Sequence, residues 1–200
     1  MEENLKATRR RAALARRRAL APAEIARRSA QLADQFFAHF PVAEWRWLHV
    51  FLPLARQHEP DTWLIIRRLW AEVLPFRLAA PVVQPDGISL RHYELTPVTP
   101  LQANRWGIPE PVPTPPHLAE VPPEAFDAVL VPLLAVDATG HRVGYGGGFY
   151  DQFLARCRPG CAFIGLQVLD DEAPVPPLID VLPTDIRLTA CLTPGSVWRF

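Results

Sequence analysis

The sequence predicts an α/β protein: three layers, α/β/α, around a mostly parallel central sheet. Two observations carry this expectation. Apolar runs of strand length alternate with segments of helical periodicity, the pattern of parallel strands joined by crossover helices. Residues 128–136, AVLVPLLAV, are apolar without alternation, as a strand covered on both faces must be. Two hundred residues suffice for a single domain, 1–200, with a real core.

In chain order, residues 5–20 are rich in Ala and Arg and read as a first helix. A second helix, Pro22 to Phe40, sets Ile25, Leu32, Phe36 and Phe40 on one face, with Pro22 in its first position and Glu24 in its first turn. WRWLHVFLPL (45–54) reads as a buried strand bounded by Pro53, and PDTWLIIRRLWAEVL (60–74) as the returning helix with Asp61 as its cap. Shorter strands follow at 78–83 and 88–93. Prolines crowd the segment from Pro109 to Pro123, which marks an extended surface loop. The 128–136 strand should be central. QFLARC (152–157) reads as helical, and strands at 162–169 and 186–193 complete the sheet.

Composition excludes several classes of function. Formal net charge is zero, so the chain as a whole makes no case for nucleic acid or an anionic membrane. No apolar run approaches membrane-spanning length. The first thirty residues are basic, but Glu2 and Glu3 at the tip and the scarcity of serine argue against a transit peptide, and the expected address is cytoplasmic. Cys157, Cys161 and Cys191 show no zinc-ligand spacing and read as small core or surface thiols.

The chemistry concentrates at GYGGGFYD. Gly144, Gly146, Gly147 and Gly148 leave a backbone that a polyphosphate can approach, and a helix start behind a glycine turn offers N–H groups to an anion. Neither the Walker pattern nor GxGxxG is present, because no Lys-Ser/Thr follows and Phe149 stands in the third glycine's place. A plain chain-reversing turn would also explain the glycines. Arg142, two residues ahead, can set a guanidinium over a phosphate. Asp151 lies where phosphates would repel it unless a cation intervened, which points to Mg²⁺; its other reading is helix-dipole complementarity. Lys6, the only lysine, shares a helical face with Arg10, an arrangement that is mildly unfavourable without an anion. A solvated basic helix is the alternative.

Taken together, these segments resemble the 5-formyltetrahydrofolate cyclo-ligase (methenyltetrahydrofolate synthetase) family. Its hallmark, Pro-x-Leu-Ala-Phe-Asp followed by Arg-Leu-Gly-x-Gly-x-Gly-Tyr-Tyr-Asp, is matched by PLLAVDATGHRVGYGGGFYD (132–151), with Val136 for Phe and Phe149 for the first Tyr. Lys6 with Arg10, FLPLARQHEPDT (51–62), WGIPEP (106–111) and TDIRLTACLTP (184–194) agree in order and spacing.

The resemblance implies the family's fold, which is NagB/RpiA/CoA transferase-like. It implies ATP-dependent conversion of 5-formyltetrahydrofolate to 5,10-methenyltetrahydrofolate through a phosphorylated formyl (iminium phosphate) intermediate. Carried over by position, Lys6, Arg10, Arg142, Gly144, Gly146, Gly147, Gly148 and Tyr150 would bind ATP. Tyr150 and Arg142 would act at the reacting groups. Leu52, Glu59, Trp106, Tyr145 and Phe149 would hold the folate, possible polyglutamate tail included. Asp151 and Asp185 would serve Mg²⁺. The partners implied are ATP and folate, with no nucleic acid and no membrane, and the enzyme would be a monomer. The sequence departs from the family where Leu182-Pro183-Thr184-Asp185 is compact, where Tyr145 stands in place of an Arg found in some relatives, and where Ala21 replaces a Ser-type helix cap.

Two other readings stay open. A sugar-phosphate isomerase or CoA-transferase relative would use the same architecture but needs a poised acid, and Asp151 is the acid beside the loop. A nucleic-acid binder would rest on the Arg-rich first helix alone.

Overall fold

The computed structural model describes residues 5–72, 76–112, 119–171, 173–177 and 180–200. Helices α1 (Leu5–Arg18) and α2 (Pro22–His39) come first. Strand β1 (Trp47–His49), helix α3 (Trp63–Ala71), the antiparallel pair β2 (Arg77–Val83) and β3 (Leu90–Leu95), and a hairpin of β4 (Leu101–Ala103) and β5 (Pro109–Pro111) follow. Then come β6 (Ala128–Pro132), the short pair β7 (Ala135–Val136) and β8 (Arg142–Val143), helix α4 (Phe149–Leu154), β9 (Ala162–Leu166), β10 (Ala190–Leu192) and β11 (Val197–Arg199).

The main sheet runs β11-β10-β9-β6-β1-β2-β3. Its inner strands pair in parallel, and β11 and β3 are antiparallel edges. β6 is central, as its unbroken apolar composition requires. Alternate residues of the strands enter two separate cores. Leu48, Val50, Ala80, Ala128, Leu130 and Ile164 pack with Leu32 and Phe36 of α2 and Ile65, Ile66 and Leu69 of α3. Ala79, Val129, Val131 and Cys191 pack on the other face with Phe153 and Leu154 of α4. With both faces covered, a polar position in these strands would lose its water, which is why they read as apolar runs. The protein is thus α/β with a mostly parallel sheet flanked by helices. Among the described residues no helix is long and apolar enough to cross a membrane.

Several element boundaries differ from the sequence reading. The apolar run 128–136 is not one strand: it leaves the sheet after Pro132, where the Leu134 N–H turns to the Val143 carbonyl at 2.8 Å and starts the β7–β8 ribbon. Hydropathy reports burial and is blind to this change of hydrogen-bond partner. The 45–54 strand pairs only at 47–49 and continues extended and buried to Leu52. The 186–193 strand pairs only at 190–192, and the 88–93 strand lies two residues further on. Asp61 accepts the Trp63 N–H at 3.0 Å, but the residue at the N-cap position is Thr62, whose hydroxyl donates to the Phe51 carbonyl instead of capping the helix. The expected continuation of this helix to 73–74, and residues 113–118 of the proline loop, lie outside the described residues. Within that loop, Pro109–Pro111 forms a strand after all, on the edge of a two-stranded ribbon where proline is tolerated.

Candidate active site

β1 and β6 lie side by side, and the chain leaves them toward opposite edges, β1 to β2 and β6 to β9. In an open α/β sheet the crevice beyond the carboxyl ends at such a reversal is where ligands bind. Here it is a cavity of about 1220 Å³. Phe51 and Leu52 after β1, Pro81 and Val83 on β2, and Pro132 at the end of β6 form its floor; α1 and the glycine loop form its sides. Every residue expected at the site lines it: Lys6, Arg10, Leu52, Glu59, Trp106, Arg142, Gly144, Tyr145, Gly146, Gly147, Gly148, Phe149, Tyr150, Asp151 and Asp185.

One end is cationic. Arg10 donates from Nε to the Gly144 carbonyl at 2.7 Å and lies against the loop. Gly146 has φ +98° and its missing Cβ would sit 3.4 Å from the Arg10 guanidinium, and Gly148 has φ +69°, so these two positions require glycine. At Gly147 a Cβ would stand 2.8 Å from the Phe149 ring, whereas Gly144 faces open space. α4 starts at once after the loop, with Gly148 at its N-cap and Asp151 in its first turn. Among the described residues the amides of Gly146, Gly147 and Gly148 donate to no protein group.

Both expected metal carboxylates are engaged by cations. Asp151 Oδ1 accepts Nη2 of Arg142 at 2.7 Å and the Ile186 N–H at 3.0 Å. Asp185 Oδ2 accepts the Lys6 ammonium and the Leu182 N–H. Burial works to raise the Asp185 carboxyl, and the Lys6 and Leu182 donors outweigh it, so the group is held below the usual carboxylate range. No cluster of three or more His, Cys, Asp or Glu groups occurs among the described residues. Asp151 Oδ2 and Asp185 Oδ1 keep no protein partner there. That set fits an octahedral cation only if phosphate oxygens and water complete it, which is how Mg²⁺ is commonly held.

The other end is apolar and aromatic. Leu52 is buried, and Trp106 meets Phe149 edge to face at 6.3 Å. Asn104 fixes the Trp106 turn by accepting the Trp106 and Ile108 N–H groups on Oδ1, with Gly107 at φ +78°. Glu59 is 8 % exposed. His58, just before it, is the one non-glycine residue among those described with positive φ, 53°, and this left-handed kink aims Glu59 into the cavity. Burial raises the Glu59 carboxyl, opposed by the Leu54 N–H at 2.7 Å, the Tyr145 hydroxyl and the charge of Arg17. Tyr145 is therefore more than a wall: its hydroxyl donates to Glu59 Oε1 and accepts from Arg17. The Tyr150 hydroxyl is buried without a partner among the described residues, and burial keeps it protonated.

Sequence reasoning missed Arg17 and Asp180. Arg17 is buried on α1, and Asp180 accepts the Lys6 backbone N–H at 2.7 Å. A signal for Arg17 existed: positions 6, 10, 13 and 17 share one helical face. Other guanidinium groups of α1 stay at the surface and pair with protein groups: Arg9 binds the Pro176 carbonyl, Arg16 the Asp171 carboxylate and Arg18 the Gln57 side chain.

The sequence profile of the 5-formyltetrahydrofolate cyclo-ligase family matches residues 2–194. The Escherichia coli K12 5-formyltetrahydrofolate cyclo-ligase is 32% identical over 190 residues, which is 92% of this chain and 98% of that one. The Mycolicibacterium smegmatis 5-formyltetrahydrofolate cyclo-ligase is 39% identical over 126 residues, 59% of this chain and 60% of that one. The NMR structure of Aquifex aeolicus 5,10-methenyltetrahydrofolate synthetase has the same fold, with a TM-score of 0.77 at 24% identity over 98% of this chain and 92% of the other. The profile runs through the glycine loop, both cavity ends and the N-terminal helix alike, and the chain belongs to the 5-formyltetrahydrofolate cyclo-ligase family, whose members are ligases.

Proposed function

We propose that this chain catalyses the ATP- and Mg²⁺-dependent closure of 5-formyltetrahydrofolate to 5,10-methenyltetrahydrofolate with release of ADP and phosphate, as a single-domain, monomeric, cytoplasmic enzyme of one-carbon metabolism. The observation that carries this reading is one cavity with two chemically distinct ends. Lys6, Arg10, Arg142 and the loop glycines stand at a phosphate-like end, and Leu52, Trp106 and Phe149 with Glu59 at an aromatic one.

Phosphoryl transfer is mainly positioning and charge stabilisation, which asks for donors and cations rather than a protein nucleophile. The unpaired amides of Gly146–Gly148, the remaining Arg10 and Arg142 N–H groups and the Lys6 ammonium would hold the triphosphate. The γ-phosphoryl group would pass to the formyl oxygen, breaking its bond to ADP and leaving an iminium phosphate. The nitrogen at position 10 would then attack the formyl carbon and give up its proton to solvent, and phosphate would depart with the former formyl oxygen. Arg142 would counter the charge on the transferring group, and the neutral Tyr150 phenol would donate beside it. Mg²⁺, held by Asp151 and Asp185 directly or through water, would neutralise phosphate charge. Glu59 keeps lone pairs beyond those used by Leu54 and Tyr145, and would accept pterin N–H groups between the aromatic walls.

Purified protein incubated with 5-formyltetrahydrofolate, ATP and Mg²⁺ should develop the absorbance of the methenyl product. Folded protein that yields none, with ATP intact, overturns the proposal.

A further inference from the structure

α1 carries Arg16, Arg17 and Arg18 in succession, and only the middle one is buried, at 2 % exposure. A guanidinium cannot be desolvated without compensation. Yet among the described residues no carboxylate pairs with Arg17 directly. Its Nη2 donates to the Tyr145 hydroxyl oxygen, its Nη1 reaches the Leu133 carbonyl only at 3.4 Å, and Nε has no partner. The Tyr145 hydroxyl in turn donates to Glu59 Oε1, and the guanidinium also lies 5.4 Å from the Tyr145 ring centre. The negative charge that balances Arg17 is thus that of Glu59, one phenol away.

The direction of each bond matters. Because Arg17 donates to the phenol oxygen, the phenol proton points at Glu59. The other oxygen of Glu59 takes the Leu54 N–H. Both neighbours are donors, so a proton on Glu59 would find no acceptor between them, and they oppose the burial that raises this carboxyl. The other groups facing Glu59 are the Tyr150 phenol from α4 and, on its own turn, His58, whose Nδ1 lies 3.2 Å from the Arg17 carbonyl. No second acid is among them.

We infer that Arg17 is a positioning residue for the folate end of the cavity: acting through the Tyr145 hydroxyl, it holds Glu59 as a fixed, ionised acceptor for the N–H groups of a pterin. The inference rests on the folate reading above for the identity of the ligand, and on geometry alone for the relay. It also gives Tyr145 a task that a phosphate-binding residue at that position would not perform.

The test separates the two. In full-length protein labelled with ¹³C at glutamate Cδ, the Glu59 resonance is assigned by its loss in Glu59→Gln and followed with pH. Removing either link should raise the Glu59 midpoint by about one unit, a tenfold gain in proton affinity. Arg17→Met and Tyr145→Phe should each do so, and the double variant should add little, because both act through one path. Tyr145 is 41 % exposed, so Tyr145→Phe removes one hydroxyl at the cavity surface and leaves the core side chains in place, a milder change than Arg17→Met. The same variants should weaken equilibrium binding of 5-formyltetrahydrofolate about tenfold and leave that of ATP within about twofold. An unmoved Glu59 titration in Tyr145→Phe overturns the relay. A shifted titration with unchanged folate binding overturns the positioning role at the folate end, whereas absence of folate binding in the unsubstituted protein overturns the folate reading.

Discussion

Arg142 and Asp151 close the glycine loop into a ring: Nη2 of the guanidinium donates to Oδ1 of the carboxylate at 2.7 Å, and the whole turn from Gly144 to Gly148 lies between them. The ring is fastened to the chain behind it, because Ile186 gives its N–H to Asp151 and takes a bond from Arg142 Nη1 at 2.7 Å. Loop shape and the proposed phosphate contact therefore depend on the same side chain.

Arg142→Ala should accordingly act on ATP far more than on folate. Loss of a charged hydrogen bond of ~1.5–3 kcal/mol corresponds to a rise in the KM for ATP of tenfold or more. Glu59→Ala should reverse the pattern. Initial-rate kinetics in both substrates decide this, and equal effects on the two would indicate general loss of structure.

Asp151→Asn should shift the Mg²⁺ titration of activity to higher concentration by ~10-fold, the scale of losing a metal-positioning group. Asp185→Asn should also release the Lys6 ammonium, so its effect should appear in the ATP dependence as well. A Mg²⁺ titration unchanged by Asp151→Asn would make that residue purely structural.

The core contains an acid-sensitive pair. His49 and His92 are buried, their rings 4.9 Å apart at a T-shaped angle, and none of their ring nitrogens has a partner among the described residues. Burial pushes His49 well below the usual histidine range, helped by His92; burial, with Arg156, takes His92 down to about 3. The unfolded chain binds these protons near pH 6.5 and the folded chain does not, so stability is full above that pH and falls below it. Each histidine contributes a slope of ~1.4 kcal/mol per pH unit. Urea unfolding at pH 7, 6 and 5 should show the decline, and His92→Leu should make it shallower.

Gly165 lies in β9 between the central strand and β10, and a Cβ there would stand 2.4 Å from Leu133 and 2.7 Å from Leu188. Gly165→Ala should destabilise the protein by ~1–3 kcal/mol through overpacking, with the two KM values unchanged. Denaturant midpoints measure the first part and kinetics the second.

Much of the fold was legible because burial on both faces of a parallel sheet leaves a plain apolar signature in 128–132 and 162–166. What hydropathy could not show was where backbone pairing changes partner, hence the missed β7–β8 ribbon and the overlong strands. Edge elements such as β11 and the Pro109–Pro111 strand carry weak patterns, being half exposed and proline-bearing. At the site, glycines and charges at motif spacing were readable in sequence, and the structure gathers them around one cavity. Arg17 was hidden among neighbouring arginines, since composition cannot say which of three consecutive guanidinium groups turns inward. Neither could the pairing of Asp151 with Arg142 or of Asp185 with Lys6 be read without geometry.

α1 is attached to the rest of the molecule chiefly by charge. Only Ala13 and Arg17 of its residues are buried, while Lys6, Arg9, Arg10, Arg16 and Arg18 each reach a carbonyl, carboxylate or amide oxygen elsewhere. Such attachments are weakened by dissolved ions, and partly exposed ones most of all. The part of the proposed phosphate site carried by α1 is thus the more sensitive to ionic strength, whereas the Arg142 guanidinium, with its side chain 6% exposed, is better shielded from dissolved ions.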